Sequence, residues 1–213
     1  MRDETQPPEA PAAPQRKLKT ANENPWYVLM TLHGEQEGEE IDWELHERNR
    51  KAWNSWASNG LQQSQRELLQ KRGVELPARD SWNREWGTLR QRFEKEFSNR
   101  NKGAAVDFSI FESRNIDLKE CEFLKRFVSS GFLFPFVVEL NGSRFDRFVN
   151  FERAGFSESL TVANSNFAES ASFKNSVLLE GGNFNGCIFK EHVDFDGCIF
   201  RGRADFSWSR FDG

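Results

Sequence analysis

The sequence lacks what would mark a membrane span, an export signal or a redox centre. Its longest apolar run, GFLFPFVV from Gly131 to Val138, falls far short of the about 20 residues that cross a bilayer. The N-terminal MRDETQPPEAPAAPQRKLKTANEN is polar and proline-rich rather than an uninterrupted apolar core. No membrane partner is expected, and a reducing cytoplasm is the default compartment. The three cysteines, Cys121, Cys187 and Cys198, and the three histidines, His33, His46 and His192, show no CxxC, HExxH or mixed ligand spacing. No metal and no cofactor are expected. GxSxG and phosphate-loop motifs are missing too, and an enzyme needs a nucleophile or an acid/base pair held in a concave site. The sequence reads as non-catalytic.

Charge of one sign is also scarce. The formal charge of -4 divides into 17 acidic and 17 basic residues over 1–103, against 16 and 12 over 104–213. The mild deficit lies in the second half, and no basic run points to direct nucleic-acid binding.

Phenylalanine is abundant, and it is ordered. From Phe167 a large apolar residue returns at alternating steps of six and five, through Phe173, Leu178, Phe184, Phe189, Phe195, Phe200, Phe206 and Phe211. The same phase runs back through Val162, Phe156, Phe151, Phe145 and Leu140 to Phe134. Two positions before each rung from Phe167 onward stands a small or modest residue, for example Ser165, Ala171, Cys187 and Cys198. Thiols at that position read as small apolar filler. The combined period of 11 is also a helical repeat, but Gly181, Gly182, Gly186, Gly197 and Gly202 among many Asn and Asp residues make a poor helix. They suit solenoid corners.

The first half differs. Residues 1–24, with four of the seven prolines, read as a disordered tail. Asn24 to Gly34 (NPWYVLMTLHG) is an apolar cluster whose periodicity does not separate strand from helical turn. Helices are expected over 41–57, over 61–72 with Gly73 as a left-handed cap, and over 81–99 with Asp80 or Ser81 at its start. In the last, Trp82, Trp86, Leu89, Phe93 and Phe97 share one face. Six of the seven tryptophans lie in this half, and large rings bury the most area where short helices have little core of their own. Packed over the first coil of the repeats, these helices would protect it, as terminal repeats require. The segment 127–138 breaks the pattern, with Phe127 and Phe132 at small-residue positions and Ser129 on a rung. It marks the expected junction with the helices.

The units ADFSW, VDFDG and SRFDG, at Ala204, Val193 and Ser209, resemble the Ala-(Asp/Asn)-(Leu/Phe)-X-X unit of the pentapeptide-repeat family. The resemblance covers about residues 134–213 and reaches weakly to IDLKE and CEFLK at Ile116 and Cys121. The leader from NPWYVL through the Trp-bearing helix resembles that of some bacterial members. What the resemblance implies is a right-handed quadrilateral β-helix, with the rung and the residue two before it pointing inward and the others to solvent. Steps of six depart from the strict unit of five, so coils of about 22 residues with extra residues at two opposite corners are expected.

The resulting expectation is an α+β chain: tail 1–24, helical Trp-rich cap 25–103, β-helix 104–213. In that register Cys187 and Cys198 enter from opposite faces, and Cys121 lies three coils, about 14 Å, from Cys187. No disulfide follows. Asp194 and Asp196 flank an inward Phe and read as turn-stabilising or solvating charges. Val177 and Ile199 fall 22 apart just before a rung, Ile188 takes that position on the opposite face, and Trp208 is a further exposed candidate. These four form the candidate contact surface for an unknown protein partner. Some pentapeptide-repeat proteins bind type II topoisomerases by presenting acidic faces as a DNA mimic. That alternative is weighed against mixed charges here and against the lack of the dimer helix common in that subgroup. A third alternative is a structural spacer. The sequence stops within a regular repeat, which reads as part of a longer protein or as a coil that meets a partner, itself included.

Overall fold

In the computed structural model the described residues are 17–78 and 81–213, with the side chains of 81–85 outside that description. Four helices precede a parallel β-solenoid of about four coils. Helix α1 spans Pro25–Met30, α2 Trp43–Gly60, α3 Gln63–Lys71 and α4 Ser81–Arg100.

Local chemistry sets these limits. Asn24 accepts the Trp26 amide ahead of Pro25, which fixes the Asn24 cluster as a helix rather than a strand. Asp42 accepts the Leu45 amide to start α2. Gln62 and Gln65 exchange bonds in a capping box at α3, and Gly73 follows it at φ +82°. The expected cap of α4 at Asp80 or Ser81, and the Trp82 side chain, lie outside the described residues and side chains. Phe93 and Phe97 of α4 are buried as expected. The tail expected over 1–24 lies outside the described residues as far as residue 16. From Lys19 the chain belongs to the fold instead: Lys19–Thr20 pairs in parallel with Cys121–Glu122, and Ala21 is buried in the turn that follows.

The solenoid has four faces of parallel two- and three-residue strands. Face 1 stacks Asn115–Asp117, Val137–Glu139, Leu160–Thr161, Gly182–Asn183 and Ala204–Asp205. Face 2 stacks Lys19–Thr20, Cys121–Phe123, Arg144–Phe145, Asn166–Phe167, Ile188–Phe189 and Arg210–Phe211. Face 3 stacks Phe127–Val128, Val149–Asn150, Ala171–Ser172 and Val193–Asp194, and face 4 stacks Leu133–Phe134, Gly155–Phe156, Val177–Leu178 and Ile199–Phe200. Partners in the register are 22 residues apart, as in Phe145↔Phe167↔Phe189.

Two kinds of corner alternate. The six-residue steps lie between faces 2 and 3 and between faces 4 and 1, at opposite corners. The five-residue steps turn through a left-handed residue that recurs every 11 positions: Glu120, Gly131, Gly142, Arg153, Asn164, Asn175, Gly186, Gly197 and Trp208. Glycine and asparagine tolerate that backbone best, which is why they punctuate the sequence there.

Inside, the rings of Phe123, Phe145, Phe167, Phe189 and Phe211 form one column with centroid separations of 4.6, 4.8, 4.7 and 5.1 Å. Stacking at strand spacing buries each ring between two others. On the same face, the inward residues before the rungs form a polar ladder. Ser143 Oγ donates to Leu118 O, Ser165 Oγ to Leu140 O, Cys187 Sγ to Val162 O and Ser209 Oγ to Phe184 O. All three cysteines are free thiols.

The helices do more than close one end. Tyr27 meets Phe123 edge-on at 5.5 Å and stacks on Phe127 at 6.2 Å, over the first coil. Helices α2 and α3 then lie along face 4. Trp53 Nε1 donates to Leu133 O at 2.6 Å, and Asn54 Oδ1 accepts the Leu133 amide at 2.9 Å. Gly155 makes room for Leu69 and Val74, whose methyl groups stand 3.1 and 3.2 Å from the position of an added Cβ. The expectation that all residues outside the rung pair face solvent is therefore corrected on this face: Leu133, Gly155 and Val177 are buried. The irregular segment 127–138 is the seam, since Phe132 stacks with Trp53 at 5.9 Å and with His46 at 5.7 Å.

Candidate functional site

The register places the four candidate contact residues in three environments. Val177 is 1% exposed, because its column is the one the helices cover, so it leaves the surface. Ile199, next in that column, and Ile188 on face 2 are half-buried. Trp208 is 90% exposed. Ile188 pairs with Arg210, two residues beyond Trp208, so Ile188 and Trp208 share one neighbourhood whereas Ile199 lies on the opposite face.

Trp208 combines two unfavourable features. Its backbone is left-handed at φ +62°, a conformation that crowds any Cβ. Its corner column otherwise holds Glu120, Gly142, Asn164 and Gly186. Among the described residues no ring packs on Trp208, and the bare Gly186 stands next in its column. Strained backbone positions cluster at functional sites, and tryptophan is enriched where binding energy concentrates. The side chain was recognisable in the sequence as exposed; its strain was not. The signal was present, since Gly131, Gly142, Asn164, Asn175, Gly186 and Gly197 fall on the same series of 11.

The charges around this region are matched within and between coils. Arg144 pairs with Glu122 and Asp146, Arg147 with Glu169, and Lys174 with Asp196. Near Trp208, Arg203 pairs with Asp205 and Arg210 with Asp212. Such exposed pairs contribute little stability, but they interleave the two signs along the faces. Asp194 Oδ1 accepts the Asp196 amide at 2.7 Å in a local turn, as expected for a turn-stabilising pair.

Concavities occur at the seam. One of about 340 Å³ is lined by His46, Arg50, Gly73, Val74, Glu75, Ser130, Gly131 and Arg153. There Arg50 is engaged by Glu47 through bonds of 2.8 and 3.0 Å and reaches Glu75 at 3.4 Å. No group of three or more His, Cys, Asp or Glu residues that could hold a metal occurs among the described residues. Burial pushes the thiols of Cys121 and Cys187 up to about 11, the opposite of what a nucleophilic cysteine requires. No helix among the described residues is long and apolar enough to cross a membrane.

The chain matches no protein-family model, no curated protein and no solved structure with which it was compared.

Proposed function

We propose that this chain is a non-enzymatic protein-binding or scaffold module of the pentapeptide-repeat type, and that Trp208 anchors its contact surface with Ile188 beside it. The repeat units ADFSW, VDFDG and SRFDG support the family reading. The coil of 22 rather than 20 residues is this chain's departure from a strict unit of five. The observation that carries the binding reading is Trp208 itself, 90% exposed on a left-handed backbone. Tryptophan is among the residues most enriched where binding energy concentrates.

The neutralised charge pairs on the faces speak against the DNA-mimic alternative, because a duplex presents dense charge of one sign. The test is Trp208→Gly, which suits the backbone while removing the anchor. Partners recovered from the native cell with the wild-type chain should be lost with the variant, by about 2 kcal/mol of affinity or roughly 30-fold. Identical recovery with a folded variant would refute the assignment. Inhibition of topoisomerase supercoiling by both forms would favour the mimic instead.

A further inference from the structure

We propose that His46 is a proton-operated latch between the helices and the solenoid: protonation of its ring at mildly acidic pH loosens α2 and α3 from face 4 and uncovers the apolar column Leu133, Gly155 and Val177.

The geometry is that of a neutral ring packed into the joint between α2 and the solenoid, at the edge of the seam concavity. His46 is 5% exposed. It stacks on Phe132 of the solenoid at 5.7 Å and meets Trp43 edge-on at 5.6 Å. Its Nε2 lies 3.0 Å from Ser130 O, so Nε2 carries the hydrogen and donates. Nδ1 is buried without a hydrogen-bond partner. A second proton must go to Nδ1, within the aromatic packing, where a charge has little solvation. A buried ring of this kind is adjusted to one protonation state only.

Every element at the seam contributes a charge or dipole. Glu47 and Arg50 come from α2, Glu75 from the segment after α3, and Arg153 with the Ser130 carbonyl from the solenoid. Burial dominates and holds His46 below its ordinary value of 6.5; the carbonyls of Ser130 and Val128 oppose this, as does Glu47, while Arg50 adds to it. Above 6.5 both folded and unfolded forms are neutral and the joint has its full strength. As pH falls below that value the unfolded or undocked form binds a proton that the docked form resists, so docking weakens until the docked ring is itself protonated. The nearest reporter is the Leu133 amide, which is held by Asn54 Oδ1 of α2.

The test is made on the intact chain. The ring resonances of His46 should titrate below the ordinary histidine value of 6.5. Between about pH 7.5 and about pH 5.5 the exchange protection of the Leu133 amide should fall more than that of the Phe173 amide, which is bonded to Asp194 O inside the solenoid, with about tenfold as the upper limit that one proton can supply over this window. In His46→Gln, which keeps a neutral donor for Ser130 O, the difference should vanish. If that variant does not fold, the wild-type titration and exchange decide alone. A His46 that titrates at or above the ordinary value, or a Leu133 amide whose protection follows that of Phe173, would overturn the latch.

Discussion

At the scale of single residues, the corner series explains more of the sequence than any functional motif does. Gly186 has φ +67°, and an added Cβ would stand 2.5 Å from Asn164 Oδ1. Gly186→Ala should therefore destabilise by about 1–3 kcal/mol in chemical denaturation. Trp208→Gly should be neutral or stabilising by up to about 1 kcal/mol, which separates its expected loss of binding from any loss of folding. The Ser/Cys ladder gives a second contrast. Cys187 occupies the same column as Ser143, Ser165 and Ser209 and makes the equivalent bond to Val162 O at 3.0 Å. Cys187→Ser should cost less than about 1 kcal/mol, whereas Cys187→Ala leaves a buried carbonyl short of its donor and should cost about 1–3 kcal/mol. Raised thiol pKa values of about 11 at Cys121 and Cys187 suppress the thiolate at neutral pH. Alkylation of native protein should spare both thiols and reach half-buried Cys198 first, with all three reacting after unfolding.

At the scale of elements, the Phe column and the seam contribute to stability in different ways. Phe167 stacks between Phe145 and Phe189 and is fully buried, so Phe167→Ala should cost about 3–5 kcal/mol. Phe211 ends the column half-exposed, and its truncation should cost markedly less. At the seam, Trp53→Phe keeps most of the ring but leaves Leu133 O without its indole donor, a loss of about 1–3 kcal/mol. These elements were unequally legible in the sequence. The rungs and the three longer helices could be read because apolar residues repeat at the period of the structure they form. The strand at Lys19–Thr20 could not be read, because two polar residues gain their structure only by pairing with Cys121–Glu122. Val177 was misplaced for a related reason: its period correctly gave an outward direction, but no local pattern announces that Leu69 and Val74 approach the neighbouring Gly155. His46 reads in the sequence only as one of three scattered histidines, because its packing comes from Ser130 and Phe132, more than 80 positions away.

At the scale of the whole molecule, the helices and the solenoid share one core. Trp53, Tyr27 and Leu69 are buried in the same hydrophobic cluster as Phe134, Phe156 and Val177. The helices thus cover an end and a side, and the solenoid presents the rest of its faces to solvent in rows of mixed charge. Every placement above, from Trp208 at a corner to His46 on the seam, depends on a coil of 22 residues. The most direct measurement of that register is oxidative cross-linking of a Thr161→Cys, Asn183→Cys pair, whose parent residues are partners on the outward side of face 1. Neighbouring parallel strands lie about 4.8 Å apart, within reach of a disulfide, so an intramolecular bond should form readily under mild oxidation in the folded protein and not in denaturant. A helical reading of the same period would set these positions about 33 Å apart. Failure of the folded pair to cross-link would contradict the coil and the site placements that follow from it.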